Sequence, residues 1–200
     1  MAGLIARTRQ PFEVSLGEVL AVTDGLLYRR GNFNGSFDEV ILDCLRQSQD
    51  AQIALSPGFR WGTTLLPGSD ITVEDVMAQT AITYPGITLR DLTGAEIKNA
   101  LEDIADNLFN PDPYYRQGGD MVRTGGLTYS CNPRASIGRR IDDIRIDSKP
   151  VEAGKRYRVA GWASVKGEDS TSVPVWEPLQ NYLRSRKSIR IDSVNTPKLL

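Results

Sequence analysis

Hydrophobic and polar positions switch repeatedly between a period of two and a period near 3.6, so the chain reads as short strands and helices in alternation. Residues 12–22, FEVSLGEVLAV, carry period-two stretches and read as extended. Residues 23–35 bring Gly25, Gly31, Asn32 and Gly35 together with the basic pair Arg29 and Arg30, which is turn chemistry. A helical period follows, with Phe37, Val40, Ile41, Cys44 and Leu45 on one face. Ser36 and Glu39 stand in the capping-box spacing that would start this helix, which ends near Gln49. Residues 51–55, AQIAL, then read as a short buried strand.

The stretch at residues 56–95 organises the rest. Its turn, SPGFRWG, sets Arg60 and Trp61 between that strand and a helix opened by Thr72 to Asp75, with Val73, Val76 and Met77 facing in. Residues 80–92 are strand-like but broken at Pro85-Gly86, and a proline there predicts an edge strand or a bulge because it cannot donate to a ladder. Thr93 and Glu96 form a second capping box. The helix it opens has Ile97, Ala100, Leu101, Ile104, Ala105 and Leu108 on one face and ends at Asn110 to Pro113, which leaves Glu102, Asp103 and Asp106 on a polar face that reads as solvated. In residues 114–133 the pairs Gly118-Gly119 and Gly125-Gly126 bracket Asp120 to Thr124 and allow close backbone approach or positive φ. Strands are predicted at LTYSC, at residues 139–146 and from Tyr157 to Val165 with Trp162 at its centre. A short helix follows over residues 174–184, and a weakly structured tail from Ser185. Intermixed strands and helices, with no glycine-rich βαβ fingerprint, give an α+β class with mixed sheets and helices packed on them.

Composition narrows the function more by exclusion than by indication. Two hundred residues suffice for one well-filled core. With 24 basic and 25 acidic residues the net charge is −1, and apart from Arg184, Arg186, Lys187 and Arg190 no cluster gathers the positive charge that nucleic-acid binding requires. No apolar run approaches the roughly 18 residues of a membrane span. The N-terminus, MAGLIART, does not have the order of charge and apolar residues of a secretory signal. There is no histidine, which removes a Ser-His-Asp triad, a Cys-His pair and any histidine-ligated metal from this chain. Cys44 and Cys131 form neither a zinc spacing nor a redox motif; Cys44 reads as a core residue, and Cys131 is left open. A hydrolase working through carboxylates or lysine, or carboxylates holding a hard cation, stays open, but no Ca-loop spacing is present and the features lean to a binding domain or part of a larger enzyme, with no catalytic residue or metal ligand assigned.

Arg60 carries a planar five-donor fork suited to carboxylate, phosphate, sulfate or sulfonate. On residue chemistry alone it reads as a turn arginine bonded to nearby carbonyls. Arg123 lies beside Asp120 and reads equally as its ion-pair partner or as an anion ligand. Trp162 is core or cleft wall; Trp61 and Tyr84 are weaker candidates for the cleft wall. Lys166, Glu168 and Asp169 read as a solvated loop.

Longer motifs add a resemblance. SPGFRWGTTLLPGSDITVEDVMAQT (residues 56–80) is similar to the segment of 5′-nucleotidase C-terminal domains with an N-G-G-x-R turn, a Pro-Gly and then I-T-x-x-D. TLRDLTGAEIKNALED (88–103), and GGLTYSCNP with GRRIDDIRIDSKPVEAGKRYRVAGWAS (125–133 and 138–164), resemble the same family's later motifs. GNFNGSFDEVILDCLRQS, PGFRWGTTLLPG, AQTAITYP, QGGDMVRTGGLTYSC and VAGWASV resemble one branch of it, the thiosulfohydrolases of bacterial sulfur oxidation. One departure from the nucleotidases stands out: their G-G-D-G-Y loop is replaced here by GWASVKGED, residues 161–169, which puts nucleotide hydrolysis in doubt.

The resemblance implies a four-layer α/β/β/α domain over residues 13–184, preceded by a segment, 1–12, and followed by a tail, 185–200. It implies that the domain follows its own N-terminal metallophosphatase-like domain, which would hold two manganese ions through histidine and carboxylate ligands absent from this chain. By resemblance the whole would be a periplasmic hydrolase acting on a SoxYZ-type sulfur carrier protein, with a 5′-nucleotidase or a stand-alone binding module as alternatives. Arg60 then falls on the family's substrate-binding arginine and Trp162 on its cleft aromatic; Trp61, Tyr84, Asp120 and Arg123 complete the candidate substrate site.

Overall fold

The computed structural model describes residues 1–58, 62–82, 84–164 and 172–200. In chain order the elements are α1 (Ala2–Arg9), a 3-10 turn (Gln10–Phe12), α2 (Glu13–Leu16), β1 (Val19–Thr23), α3 (Ser36–Ser48), β2 (Ile53–Ser56), β3 (Asp70–Thr72), α4 (Val73–Thr80), β4 (Ile87–Thr93) and α5 (Gly94–Phe109). They continue with a 3-10 turn (Pro113–Tyr115), β5 (Arg123–Gly125), β6 (Leu127–Cys131), β7 (Ile141–Ile146), β8 (Lys149–Pro150), β9 (Arg156–Trp162), α6 (Trp176–Arg186), β10 (Ser188–Ile189) and β11 (Lys198–Leu199).

Three mixed sheets form, in the orders β10-β1-β3, β11-β6-β7-β8 and β4-β9-β2-β5. The last is central, with β2 and β9 parallel at its middle. Successive side chains of a strand point to opposite faces, and here they feed two different cores. Ala54, Ala160 and Trp162 join α3, α4, α6 and β1 in one cluster. Ile53, Tyr157 and Val159 join α5, β6 and β7 in the other. A strand buried on both faces is expected to read as a continuous apolar run, and Ile53 to Leu55 does. Helices, sheet, sheet and helix thus stack as the α/β/β/α arrangement of an α+β fold. The break at Pro85-Gly86 falls where predicted: β4 begins after it and lies on the sheet edge.

Capping decides the helix starts. Thr72 accepts from the N–H of Asp75, and Thr93 from that of Glu96, while each acid returns a bond to the cap. In α3 the cap is one residue earlier than the sequence suggested. Asp38, not Glu39, accepts from the N–H of Gly35 at 2.8 Å. The Ser36 hydroxyl donates to the Leu26 carbonyl and accepts from the N–H of Tyr28. Gly35 is required there, since a Cβ would meet the carbonyl of Tyr28 at 2.2 Å.

Four expectations change. Residues 12–22 are not one extended segment: α2 occupies Glu13–Leu16 and only β1 is a strand, its ladder with β3 starting at Val19. Glu102 is not solvated, and the Asp106 side chain is only 22% exposed, bonded to Arg140. Ala100 is exposed although it shares the apolar face of α5. The segment after Ser185 is anchored rather than frayed. β10 pairs parallel with β1, and β11 with β6. Between them Asn195 donates from its side chain to the carbonyls of Thr124 and Leu127, both at 2.8 Å. Both cysteines are free and buried, and burial pushes the Cys44 thiol up to about 12. Among the described residues no helix is long and apolar enough to cross a membrane.

Candidate functional site

The parallel strands β2 and β9 end on the same edge, and their exits, Ser56-Pro57-Gly58 and Trp162-Ala163-Ser164, form one mouth of a cavity of about 390 Å³. Thr88 and Asp120 add polar groups, and Leu92, Ile104, Val122 and Val159 supply an apolar wall from the second core. A mostly apolar concavity with a few converging polar groups is the usual form of a small-molecule site. Two backbone features fix its rim. Ala163 adopts φ 64°, a left-handed conformation that costs a non-glycine residue on the order of 1–3 kcal/mol and persists only where surroundings enforce it. Gly58 lies so close to the neighbouring segment that a Cβ would meet the carbonyl of Met121 at 2.6 Å and the Cβ of Asp120 at 2.8 Å.

Behind the cavity lies a buried array of two arginines and two aspartates. Arg29 Nε donates to Asp38 Oδ1 at 2.6 Å, and Nη1 to the Gln79 carbonyl at 2.7 Å. Its Nη2 reaches Ser56 Oγ at 3.3 Å and the Pro57 carbonyl at 2.9 Å. The indole N–H of Trp162 donates to the same Ser56 Oγ at 2.9 Å. Arg29 therefore ties the exit of β2 to the ring on β9. Arg123 Nε stands 3.3 Å from Asp38 Oδ2, and Nη2 stands 3.3 Å from Asp120 Oδ2 and 2.8 Å from the Gly31 carbonyl. The four formal charges cancel. Burial pushes the Asp38 carboxyl up, opposed by Arg29, the Gly35 N–H and Arg123. Burial likewise pushes the Arg29 guanidinium down, opposed chiefly by Asp38.

The sequence-predicted residues divide by position. Trp162 and Asp120 line the cavity. Arg123 is fully buried behind them and bonded to Asp120, the ion pair that was one of its two readings. Tyr84 is 39% exposed and is not part of the cavity wall. Arg60 and Trp61 lie outside the described residues, and so do Lys166, Glu168 and Asp169. Arg29, Asp38 and Ser56 were missed as site residues. The only signal for Arg29 was its membership of a basic pair in a glycine-rich turn, and nothing local marks its carboxylate partner on the next helix.

The sequence profile described as "5'-nucleotidase, C-terminal domain" matches residues 19–173. The chain belongs to that family. Among solved structures, the sulfate thiohydrolase SoxB of Thermus thermophilus, in complex with glycerol, is 33% identical with a TM-score of 0.92. The match covers 100% of this chain and 38% of that one. A 5′-nucleotidase precursor, also from Thermus thermophilus, is 18% identical with a TM-score of 0.77, covering 98% of this chain and 42% of that one. The NAD nucleotidase of Haemophilus influenzae is 16% identical with a TM-score of 0.73, covering 99% and 40%. At 16–18% identity the two nucleotidases share the fold of the 5′-nucleotidase C-terminal domain and carry no argument beyond it. No match was found among curated proteins. The chain spans about two fifths of the length of these structures.

Proposed function

We propose that this 5′-nucleotidase C-terminal domain supplies the substrate-binding half of a two-domain, metal-dependent thiosulfohydrolase. The intact protein would release sulfate from a cysteine S-thiosulfonate held on a SoxYZ-type carrier in the periplasm. The observation that carries this reading is the 33% identity with SoxB along 100% of the chain. The sequence at the cleft agrees with it: after Gly161 and Trp162 the chain runs on without the G-G-D-G-Y loop of nucleotidases.

In the hydrolysis a water oxygen joins the sulfonate sulfur, the S–S bond breaks, and the departing carrier sulfur takes a proton. Among the described residues no group of three or more histidine, cysteine, aspartate and glutamate side chains could hold a metal ion. On this reading two manganese ions are held by a preceding domain. What this chain contributes is recognition: Trp162 and the apolar wall for the carrier arm, and Arg60 for the sulfonate. The nucleotidase reading is the second one, favoured by the family's description.

Arg60 gives the test. A guanidinium bonded to a sulfonate through two parallel hydrogen bonds is worth about 1.5–3 kcal/mol. In the intact protein Arg60→Ala is expected to lower kcat/KM by roughly ten- to a hundredfold with the melting temperature unchanged. Arg60→Lys keeps the charge, loses the fork and recovers only part. An unchanged kcat/KM, or a drop in melting temperature with normal activity of the folded fraction, removes Arg60 from the site.

A further inference from the structure

We infer that the face built from the end of α5, the Pro113–Tyr115 turn and the loop between β6 and β7 docks an acidic segment of the protein that carries the substrate. The inference rests on the carrier-borne substrate proposed above. A depression of about 780 Å³ lies there, lined by Arg116, Arg134 and Arg140, with Asp106 as the one carboxylate among its lining residues. Arg140 is 2% exposed and already held, by Asp106 at 2.6 Å and by the Phe109 carbonyl at 3.5 Å, so it forms the floor.

The other two arginines have donors to spare. Among the described residues the Arg116 side chain donates only from Nε, to the Asn110 carbonyl. The Arg134 side chain makes no hydrogen bond or ion pair among the described residues, its one bond being from the backbone N–H to Asn132. Each guanidinium offers five donors in a fork that matches a carboxylate. The whole chain has a net charge of −1, so this excess of positive charge is local. Charge complementarity therefore selects an acidic partner.

Ile137, 59% exposed, lines the depression, and Tyr114 and Tyr115, 95% and 66% exposed, directly precede its lining residue Arg116 in the chain. Tyrosine and arginine together are the residues most enriched where protein interfaces are strongest. The face is also tethered to the cleft. Arg116 and the cavity residue Asp120 are four residues apart, and an extended chain spans at most about 3.6 Å per residue, so about 14 Å separates them at most. A carrier seated on this face has its reactive arm within reach of Trp162 and Asp120.

The experiment compares two substrates on the intact protein, wild type and the double variant Arg116→Glu/Arg134→Glu. One substrate is the S-thiosulfonated SoxYZ-type carrier, the other a small-molecule thiosulfonate. The expected result is a fall of about tenfold in kcat/KM for the carrier, carried by KM and shrinking in high salt, with the small substrate unaffected. Unchanged carrier kinetics, or equal losses on both substrates, overturn the docking surface. So does a lowered melting temperature with equal losses, which would place the preceding domain on this face. Carrier binding is titrated in parallel. If the wild type binds the loaded carrier without releasing sulfate, the thiosulfohydrolase reading fails, and the docking surface is still judged by whether the double variant loses that binding.

Discussion

Asp38→Ala is expected to destabilise the protein by about 3–5 kcal/mol, because it removes the carboxylate shared by two buried guanidiniums. At roughly 2–4 °C per kcal/mol for a chain of this length, the melting temperature should fall by about 6–20 °C. Two losses combine in this change. Arg29 and Arg123 keep their other contacts but are left with less negative charge than their own, in a place that water does not reach. The N–H of Gly35 loses its cap as well. Asp38→Asn keeps an oxygen for Gly35 and should cost less. The double change Arg29→Met/Asp38→Leu should cost less than the sum of its parts, since an apolar pair can replace a buried ion pair without leaving a lone charge. Thermal unfolding of the wild type and these variants, with the single changes Arg29→Met and Asp38→Leu, checks this. A shift below about 2 °C for Asp38→Ala would mean that the array carries little stability.

Glu102→Ala is the second large effect, on the order of 3–5 kcal/mol. The carboxylate of Glu102, only 5% exposed, accepts backbone N–H bonds from Ile141 at 2.8 Å, Gly138 at 2.9 Å and Arg140 at 3.2 Å. Bonds to a charged acceptor are worth about 1.5–3 kcal/mol each and do not add fully; Gly138 is exposed, so its N–H can turn to water. Glu102→Gln retains one acceptor and should fall between. The same carboxylate holds the turn from which Arg134 and Arg140 project, so hydrogen exchange at the Ile141 amide should speed up in step with the loss of stability. Urea unfolding within about 1 kcal/mol of the wild type would show that the turn is held by other contacts.

Why these two acids escaped a reading of the sequence is instructive. The capping boxes at Thr72 and Thr93 are complete within four residues, and local spacing reveals them. Glu102 looks like any acid on the outer face of α5, and its partners arrive only after the chain has gone through two further strands. Ser36 and Glu39 fit the capping spacing as well as Gly35 and Asp38 do. The choice falls to Asp38 because Arg29 and Arg123 draw its carboxylate inward, and neither arginine can be placed from sequence. The anchoring of residues 188–199 has the same cause: parallel pairing with β1 and β6 depends on strands far back in the chain.

The candidate site was legible in a different way. Trp162 and Asp120 were named for it through motif resemblance, and both line the cavity at the ends of β2 and β9. Arg123 illustrates the limit of that approach. An arginine between two glycine pairs reads equally as an anion ligand or as the ion-pair partner of Asp120; in the fold β5 pairs with β2 and the side chain joins Asp120 and also Asp38, which the sequence does not place beside it. Arg29 stood in plain view as half of a basic pair, but only the fold shows that it reaches Ser56 and, through that hydroxyl, the ring of Trp162.

The measurement that bears most directly on the proposed function sets sulfate against phosphate. The intact protein, supplied with the manganese of that reading, is given the S-thiosulfonated carrier and AMP in parallel, and both anions are quantified. A site built around a sulfonate and a carrier arm is expected to prefer the carrier by roughly a hundredfold or more in kcat/KM. Efficient phosphate release from AMP, with no sulfate from the loaded carrier, would contradict the account and establish the nucleotidase instead.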